Sequence, residues 1–420
     1  MGSRRNLKIG FIHPDLGIGG AERLVLDLAG SLASEGHQIK FITNHFDKTH
    51  AFDELKNGEY PVDVYGDWLP KSICGLCQAV CAYIRMIYLS IVYFLFMKHT
   101  DKCDLYITDL IPIANIFIKL ANERVIYYCH HPDLLASIPG GTLKTLYRKP
   151  IDWLEMKATA KADVILVNSK YTASVFSRTF PEITKSVKIL YPTVANSYQQ
   201  AVEALTEEKP IELLIPDITD KVPDKIVFLS INRFHPAKRL DLAIEAMFSL
   251  RNKLNADEWE RTYLVLAGGF DPLSAVNAVT YSELQALTKY RGLQDKVIFL
   301  KSPSDSLKAE LLKSCTCLIY TPINEHFGIV PLEAMTVKKP VIAVNSGGPR
   351  ETVEHNVTGY LCEPLGDSMA EYMAKIIRNN SRKMGEEGRK RLDDKFSYNI
   401  FKKTLNEVIE HLIEGNEKVD

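Results

Sequence analysis

Glu325 and Glu333 bracket the string Glu325-His326-Phe327-Gly328-Ile329-Val330-Pro331-Leu332-Glu333. The string follows an apolar run, Cys317–Thr321, and Pro331 suits the first turn of a helix, where its missing N–H costs nothing. At such a helix start the amides of Gly328, Ile329 and Val330 face outward and attract an anion. Glu333, in the first turn, can reach a sugar's paired hydroxyls, as carboxylates do for ribose. Upstream, the run Ile226–Ile231 ends in Asn232-Arg233-Phe234-His235-Pro236-Ala237-Lys238. Two cations at a strand's carboxyl end suit a diphosphate, whose charge grows as it leaves. In the first half, Val125–Cys129 ends in His130-His131-Pro132-Asp133, which puts His130 where parallel strands present ligands and suggests Asp133 as its orienting partner. Each residue alone reads as an ordinary surface charge or a structural histidine. Their joint placement at strand ends favours a site.

A further loop, His13-Pro14-Asp15-Leu16-Gly17-Ile18-Gly19-Gly20-Ala21-Glu22, links a strand to a helix from about residue 22. Small residues there let a phosphate approach the helix start. The spacing is G-x-G-G rather than G-x-G-x-x-G, and the next strand ends at Asn44 without the acid that would hold an NAD ribose. A dinucleotide site is therefore disfavoured.

These residues need parallel strands to position them. Short β-branched runs alternate with helical patterns, the mark of α/β units. The strands expected in the first half are Leu7–Ile12, Ile39–Thr43, Asp104–Thr108, Val125–Cys129, Val164–Asn168 and Val187–Tyr191. In the second half they are Ile226–Ile231, Tyr263–Ala267, Val297–Leu300, Cys317–Thr321, Val341–Val344 and Gly359–Cys362. The expected organisation is a Rossmann-like domain over 1–195, a Glu- and Pro-rich linker over 196–222, a second Rossmann-like domain over 223–395, and a helical end, 396–420, packing back on the first.

The 420 residues suit two domains. Fifty-one basic residues against 52 acidic ones give a net charge of -1, which offers nothing for nucleic acid. Cys74, Cys77 and Cys81 share one face if helical, but one C-x-x-C without a second pair reads as buried or lipid-facing thiols rather than a metal site. Met1-Gly2-Ser3-Arg4-Arg5 runs directly into a strand pattern, so no secretory leader is expected, and Asn6 stands where a myristoylation motif wants Ser or Thr. The sequons at Asn356 and Asn379 are then expected to stay unmodified. Ala79–Met97 is apolar apart from Arg85 and Ser90. As a helix it would span about 28 Å. It reads foremost as a helix lying in a membrane interface, with Lys71, Arg85, Lys98 and Lys102 meeting anionic headgroups. A core helix and a membrane span are the alternatives.

Arg233, Lys238, Glu325 and Glu333, with the Gly19-Gly20 loop, resemble the retaining GT-B enzymes of glycosyltransferase family four. The strings from His13 to Val25, Gly66 to Pro70, Tyr147 to Trp153 and Asn324 to Met335 are similar to the α-1,3/1,6-mannosyltransferases of the dolichol pathway within that family, and the likeness runs from about Lys8 to about Phe401. The resemblance implies two Rossmann-like domains facing a cleft, with GDP-mannose as donor. It implies Man-GlcNAc2 on diphosphodolichol as acceptor, at the membrane of the endoplasmic reticulum on its cytosolic face, with other mannosyltransferases of the pathway as possible partners. It places Glu325 at the donor sugar, Glu333 on the ribose, Arg233 and Lys238 on the diphosphate, Gly20 beside the phosphates and His130 beside the reacting mannose. No metal or other cofactor is implied, since Arg and Lys supply the charge and no Asp-x-Asp lies near; Asp393-Asp394 reads as a helix surface. Other readings of the motifs are a family-four enzyme using another lipid acceptor or nucleotide sugar, and an inactive scaffolding relative.

Overall fold

The computed structural model describes residues 6–414 except 74–76, 98–101, 137–141, 206, 217, 219–222 and 380. The chain divides into two units. One comprises Met1–Pro192 with Phe401–Asp420, the other Thr193–Ile400.

The first unit is built on a seven-stranded parallel sheet, ordered β3-β2-β1-β4-β5-β6-β7. Its strands are β1 (Lys8–His13), β2 (Gln38–Thr43), β3 (Val62–Val64), β4 (Leu105–Asp109), β5 (Arg124–Cys129), β6 (Val164–Val167) and β7 (Val187–Ile189). The six expected strands form within two residues at either end. The unexpected one, β3, is three residues long at an edge, too short to show alternation. Central strands are buried on both faces, which is why they read as continuous apolar runs; β4 is buried throughout.

The second unit holds a six-stranded parallel sheet, ordered β10-β9-β8-β11-β12-β13. Its strands are β8 (Ile226–Ile231), β9 (Thr262–Gly268), β10 (Val297–Lys301), β11 (Cys317–Tyr320), β12 (Val341–Val344) and β13 (Gly359–Cys362). In both sheets the order reverses once, between β1 and β4 and between β8 and β11.

The region expected as a linker is folded into the second unit. Helices Asn196–Glu203 and Ile211–Leu214 form there, and Tyr198, Ile211, Ile215 and Ile218 are buried. Lys209 pairs with Glu310 at 2.7 Å, and Lys313 donates to the Leu205 carbonyl at 2.7 Å. The Glu and Pro residues that suggested a linker lie between these anchors. The last helix, Tyr398–Glu414, returns the chain to the first unit, where Phe401, Leu405, Val408 and Ile409 are buried and Lys402 pairs with Glu35 at 2.6 Å.

The apolar segment forms the helix Gln78–Ile91 and a π-helical turn, Val92–Met97. Its inner face is core: Tyr83, Met86, Leu89, Tyr93 and Phe94 are buried with Ile113, Ile118 and Tyr127. Its outer face leaves Ile84, Leu95 and Phe96 at 49%, 62% and 69% exposure. The segment is thus a core helix with an apolar outer stripe. The basic residues do not line that stripe as expected. Arg85 is buried and donates to the Asn44 carbonyl at 3.0 Å; Lys71 pairs with Asp15 at 3.2 Å and Lys102 with Glu123 at 3.1 Å. Lys98 and Cys74 lie outside the described residues. Cys77 is exposed just before the helix, in a left-handed conformation, and Cys81 is buried.

Candidate functional site

In the second unit, β8 delivers Arg233 and Lys238 and β11 delivers Glu325. Asn232 and Phe234 donate their amides to the carbonyls of Ala267 and Gly269, each at 3.0 Å, which extends the β8–β9 ladder past the strand end. This fixes the backbone on both sides of Arg233. Gly268 allows it: a Cβ there would sit 1.9 Å from the Asn232 carbonyl oxygen. Arg233 is exposed, and among the described residues no carboxylate pairs with it. Lys238 lies in the 3₁₀ turn Pro236–Lys238, tied down by the Thr321 hydroxyl, which donates to its carbonyl at 2.7 Å. Its ammonium forms a short ion pair with Glu325 Oε2. The Glu325 carbonyl accepts the Gly348 amide at 2.7 Å. Side chains at Gly347 and Gly348 would collide with the backbones of Glu325 and Phe327 at 2.3 Å. These two glycines therefore let the Glu325 loop lie against the β12 end.

The helix after this loop spans Val330–Thr336, with Pro331 in its first turn and no side chain capping it. Gly328 precedes it at φ +84°, a conformation other residues adopt with strain. Ile329 and Val330 are half-buried at the helix start. The Phe327 side chain is buried and packs on Phe396, ring centroids 5.9 Å apart, so only its main chain remains for a donor. Glu333 is buried; its Oε1 accepts from Lys308 at 2.9 Å, while its buried Oε2 has no hydrogen-bond partner among the described residues. Lys308 also stands 4.9 Å from the Tyr198 ring. Burial alone would lower the Lys308 ammonium's pKa, but the Glu333 carboxylate more than reverses this and holds it above its usual range.

In the first unit, three strand ends converge on one carboxylate. Asp109, the last residue of β4, accepts from His13 Nδ1 at 2.7 Å and from His130 Nε2 at 3.0 Å. His13 ends β1 and is fully buried; its Nε2 stands 3.6 Å from Glu22 Oε1. Burial by itself would discharge the His13 imidazole. Asp109, with Glu22 behind it, overrides burial and raises its pKa to about 10. Asp109, though buried, is held below the usual carboxylate range by His13 and His130. The His130 carbonyl accepts from Asn168 Nδ2 at 3.2 Å.

Asp133, expected to orient His130, does something else: it accepts from Arg148 at 3.0 Å. Its amide and that of Leu134 are held by Glu155, at 2.6 and 3.0 Å. The orienting acid is Asp109, 21 residues upstream in sequence and adjacent across the sheet. Gly19 precedes the helix Gly20–Ala33. A Cβ on Gly20 would meet no atom within 4 Å, so the fold itself does not require glycine there. The structure thus groups Arg233 with Lys238 and Glu325, Glu333 with Lys308, and His130 with Asp109 and His13. Sequence reading missed Asp109, His13 and Lys308. Asp109 and His13 were open to discovery as charged residues closing apolar strands at the sheet's reversal; Lys308 carried no such signal. Among the described residues, no group of three or more His, Cys, Asp or Glu side chains is placed to hold a metal ion.

A model of the family described as Glycosyltransferase Family 4 matches residues 18–195, and one described as Glycosyl transferases group 1 matches residues 213–391. The chain is 44% identical over 412 residues to the alpha-1,3/1,6-mannosyltransferase ALG2 of Homo sapiens, covering 96% of this chain and 95% of that protein. The proteins of the same name from Dictyostelium discoideum and Saccharomyces cerevisiae are 41% and 36% identical. They cover 97% and 96% of this chain, and 99% and 85% of their own lengths. Among solved structures, a sucrose-phosphate synthase from Thermosynechococcus elongatus matches with a TM-score of 0.74 at 17% identity, covering 98% of this chain and 100% of that one. Anabaena Alr3699/HepE in complex with UDP matches at 0.69, also at 17% identity, covering 96% and 100%. At such identities the likeness concerns the fold, which is GT-B.

The His13–Asp109 pair has a pH signature. A histidine whose folded pKa lies above its ordinary 6.5 stabilises the fold fully below that value, and this contribution is lost as pH rises through about 10. The stability difference between the parent protein and His13→Gln, from urea melts, should therefore shrink between pH 6.5 and 10. A difference that stays constant across that range would show that His13 is not the charged partner of Asp109.

Proposed function

Because the chain belongs to the family of the α-1,3/1,6-mannosyltransferases, within the family-four glycosyltransferases, we propose that it transfers mannose from GDP-mannose to Man-GlcNAc2 on diphosphodolichol. It forms an α-1,3 and an α-1,6 linkage in assembling the N-glycan precursor, at the cytosolic face of the endoplasmic reticulum. The observation that carries this is the 44% identity running through 96% of the chain.

Donor and products are both α-linked, so configuration is retained. In a front-face reaction the bond from mannose C1 to the β-phosphate oxygen breaks. The acceptor hydroxyl oxygen bonds to C1 from the same side, and its proton passes to the departing phosphate. Arg233 and Lys238 meet the charge that develops on GDP, which is where preorganised cations lower a barrier; this chemistry calls for no metal. The Lys238–Glu325 pair supports the assignment, since it ties the leaving-group cation to the carboxylate at the sugar. Glu333 Oε2, buried without a hydrogen-bond partner among the described residues, suits a ribose hydroxyl. Gly19 and Gly20 give the phosphates room, and the amides of Phe327, Gly328, Ile329 and Val330 stand beside the donor. His130, held by Asp109, lies at the reacting mannose.

The test is product analysis with GDP-mannose and Man-GlcNAc2 on phytanyl diphosphate, alongside UDP-sugars. Two mannoses added, in α-1,3 and α-1,6 linkage, are expected. Transfer from a UDP-sugar alone would refute the donor assignment.

Binding and catalysis should separate by residue. Lys238→Ala should lower kcat by roughly 10²–10³ with little change in the KM for GDP-mannose, because its contact strengthens as the bond breaks. Glu333→Ala should mainly raise that KM, because ribose contacts change little during reaction. A Lys238→Ala enzyme with parental kcat would end the leaving-group role. The outer stripe of the Gln78–Ile91 helix and its π-turn supports contact with a membrane surface. Leu95→Ser with Phe96→Ser should reduce flotation on liposomes without lowering the melting temperature, since both side chains are exposed. Undiminished flotation would remove the stripe from that role.

A further inference from the structure

The helix Gln78–Ile91 has a third face, neither core nor apolar stripe. Gln78, Ala82 and Arg85, spaced four and three apart, lie on one side of it. They line a cavity of about 320 Å³ together with Asp15, Asn44 and Lys71. Asp15 and Asn44 follow the ends of β1 and β2, so the cavity opens at the same edge of the sheet as His13 and Asp109.

Arg85 is only 6% exposed, and its Nε is buried with no hydrogen-bond partner among the described residues. Its Nη2 donates to the Asn44 carbonyl at 3.0 Å and more distantly to Asp67 Oδ1 at 3.4 Å. Asp67 is also engaged by His45 Nδ1 at 2.7 Å. A buried guanidinium so incompletely paired is costly, and native folds keep few such groups without a reason. The second cation, Lys71, is held by Asp15 at 3.2 Å, both more than 40% exposed, in the kind of pair that contributes little. Little is therefore lost if Lys71 turns from Asp15 to a more highly charged anion. Ile73 and Ile84, next in sequence to the lining residues Ser72 and Arg85, are exposed, as is Trp68.

We propose that this cavity binds the diphosphate of the lipid-linked acceptor, with Arg85 and Lys71 as its cations and the hydrocarbon leaving over the apolar stripe. The assignment rests on the acceptor named above. A diphosphate fits on three counts. It offers acceptors enough for a buried guanidinium and a lysine at once. It joins a sugar that must reach His130 to a lipid that must leave over exposed apolar side chains. It also uses residues given no part in donor binding.

The test compares two acceptors, Man-GlcNAc2 on phytanyl diphosphate and Man-GlcNAc2 as its octyl glycoside, which lacks the diphosphate. Arg85→Gln should lower the preference for the first over the second, in kcat/KM, by about tenfold or more, the size of a lost charged hydrogen bond. The KM for GDP-mannose should stay unchanged. Lys71→Gln, at an exposed position, should lower the same preference a few-fold, and it carries the comparison if Arg85→Gln fails to melt cooperatively. Inorganic diphosphate should compete with the first acceptor in the parent enzyme and more weakly in either variant. A parallel fall with both acceptors marks a structural role and overturns the assignment, as does an unchanged preference. Inhibition by phosphatidate vesicles but not by diphosphate would give the cavity to phospholipid headgroups and overturn it too. Should the parent enzyme elongate the octyl glycoside but not the diphosphate acceptor, the acceptor named above falls, and the cavity assignment with it.

Discussion

A parallel sheet wound in both directions has one place where neighbouring strands send their following segments to opposite sides. There the carboxyl ends are left open by the winding itself, whatever the side chains. In this protein the two reversals fall between β1 and β4 and between β8 and β11. His13 and Asp109 close the first pair; Arg233 and Glu325 follow the second. The chemistry-bearing residues stand where the topology leaves room for a ligand, and the remaining structure serves to keep those ends in place.

Charges gathered at a low-dielectric edge need counter-charges, and among the described residues all of these groups but the exposed Arg233 have one within reach. Asp109 sits between two imidazoles, Lys238 against Glu325, and Lys308 against Glu333. A buried ion pair is a poor source of net stability, because desolvation offsets most of its attraction. Its use is geometric: both partners are already oriented when substrate arrives, so less reorganisation remains for the reaction. Asp109 shows this most clearly, since its two oxygens fix the relative positions of residues from three strands.

Much of this was legible in the sequence. The strands were, because parallel strands buried on both faces become unbroken β-branched runs. So was the Glu325–Glu333 unit, because its glycine and proline mark a strand-to-helix turn. What the sequence hid was adjacency across the sheet. Asp133 is the acid nearest His130 in sequence, but β4 brings Asp109 to the imidazole while Asp133 pairs with Arg148. The apolar stretch from Ala79 to Met97 shows composition without faces; packing decides that Leu89 is core and Leu95 is not. The Glu- and Pro-rich stretch after Val194 looked like a linker because its few anchors, Tyr198 and Ile211 among them, are sparse.

The account assigns both linkages to a single donor position, since of the two Glu-x7-Glu spacings in the chain it is Glu325–Glu333, not Glu363–Glu371, that is paired with Lys238. The most direct measurement is linkage analysis of the products made by Glu325→Ala, with folding confirmed by a parental melt. The account predicts that the α-1,3 and α-1,6 activities fall together, by the same factor. Loss of one linkage with full survival of the other would contradict it.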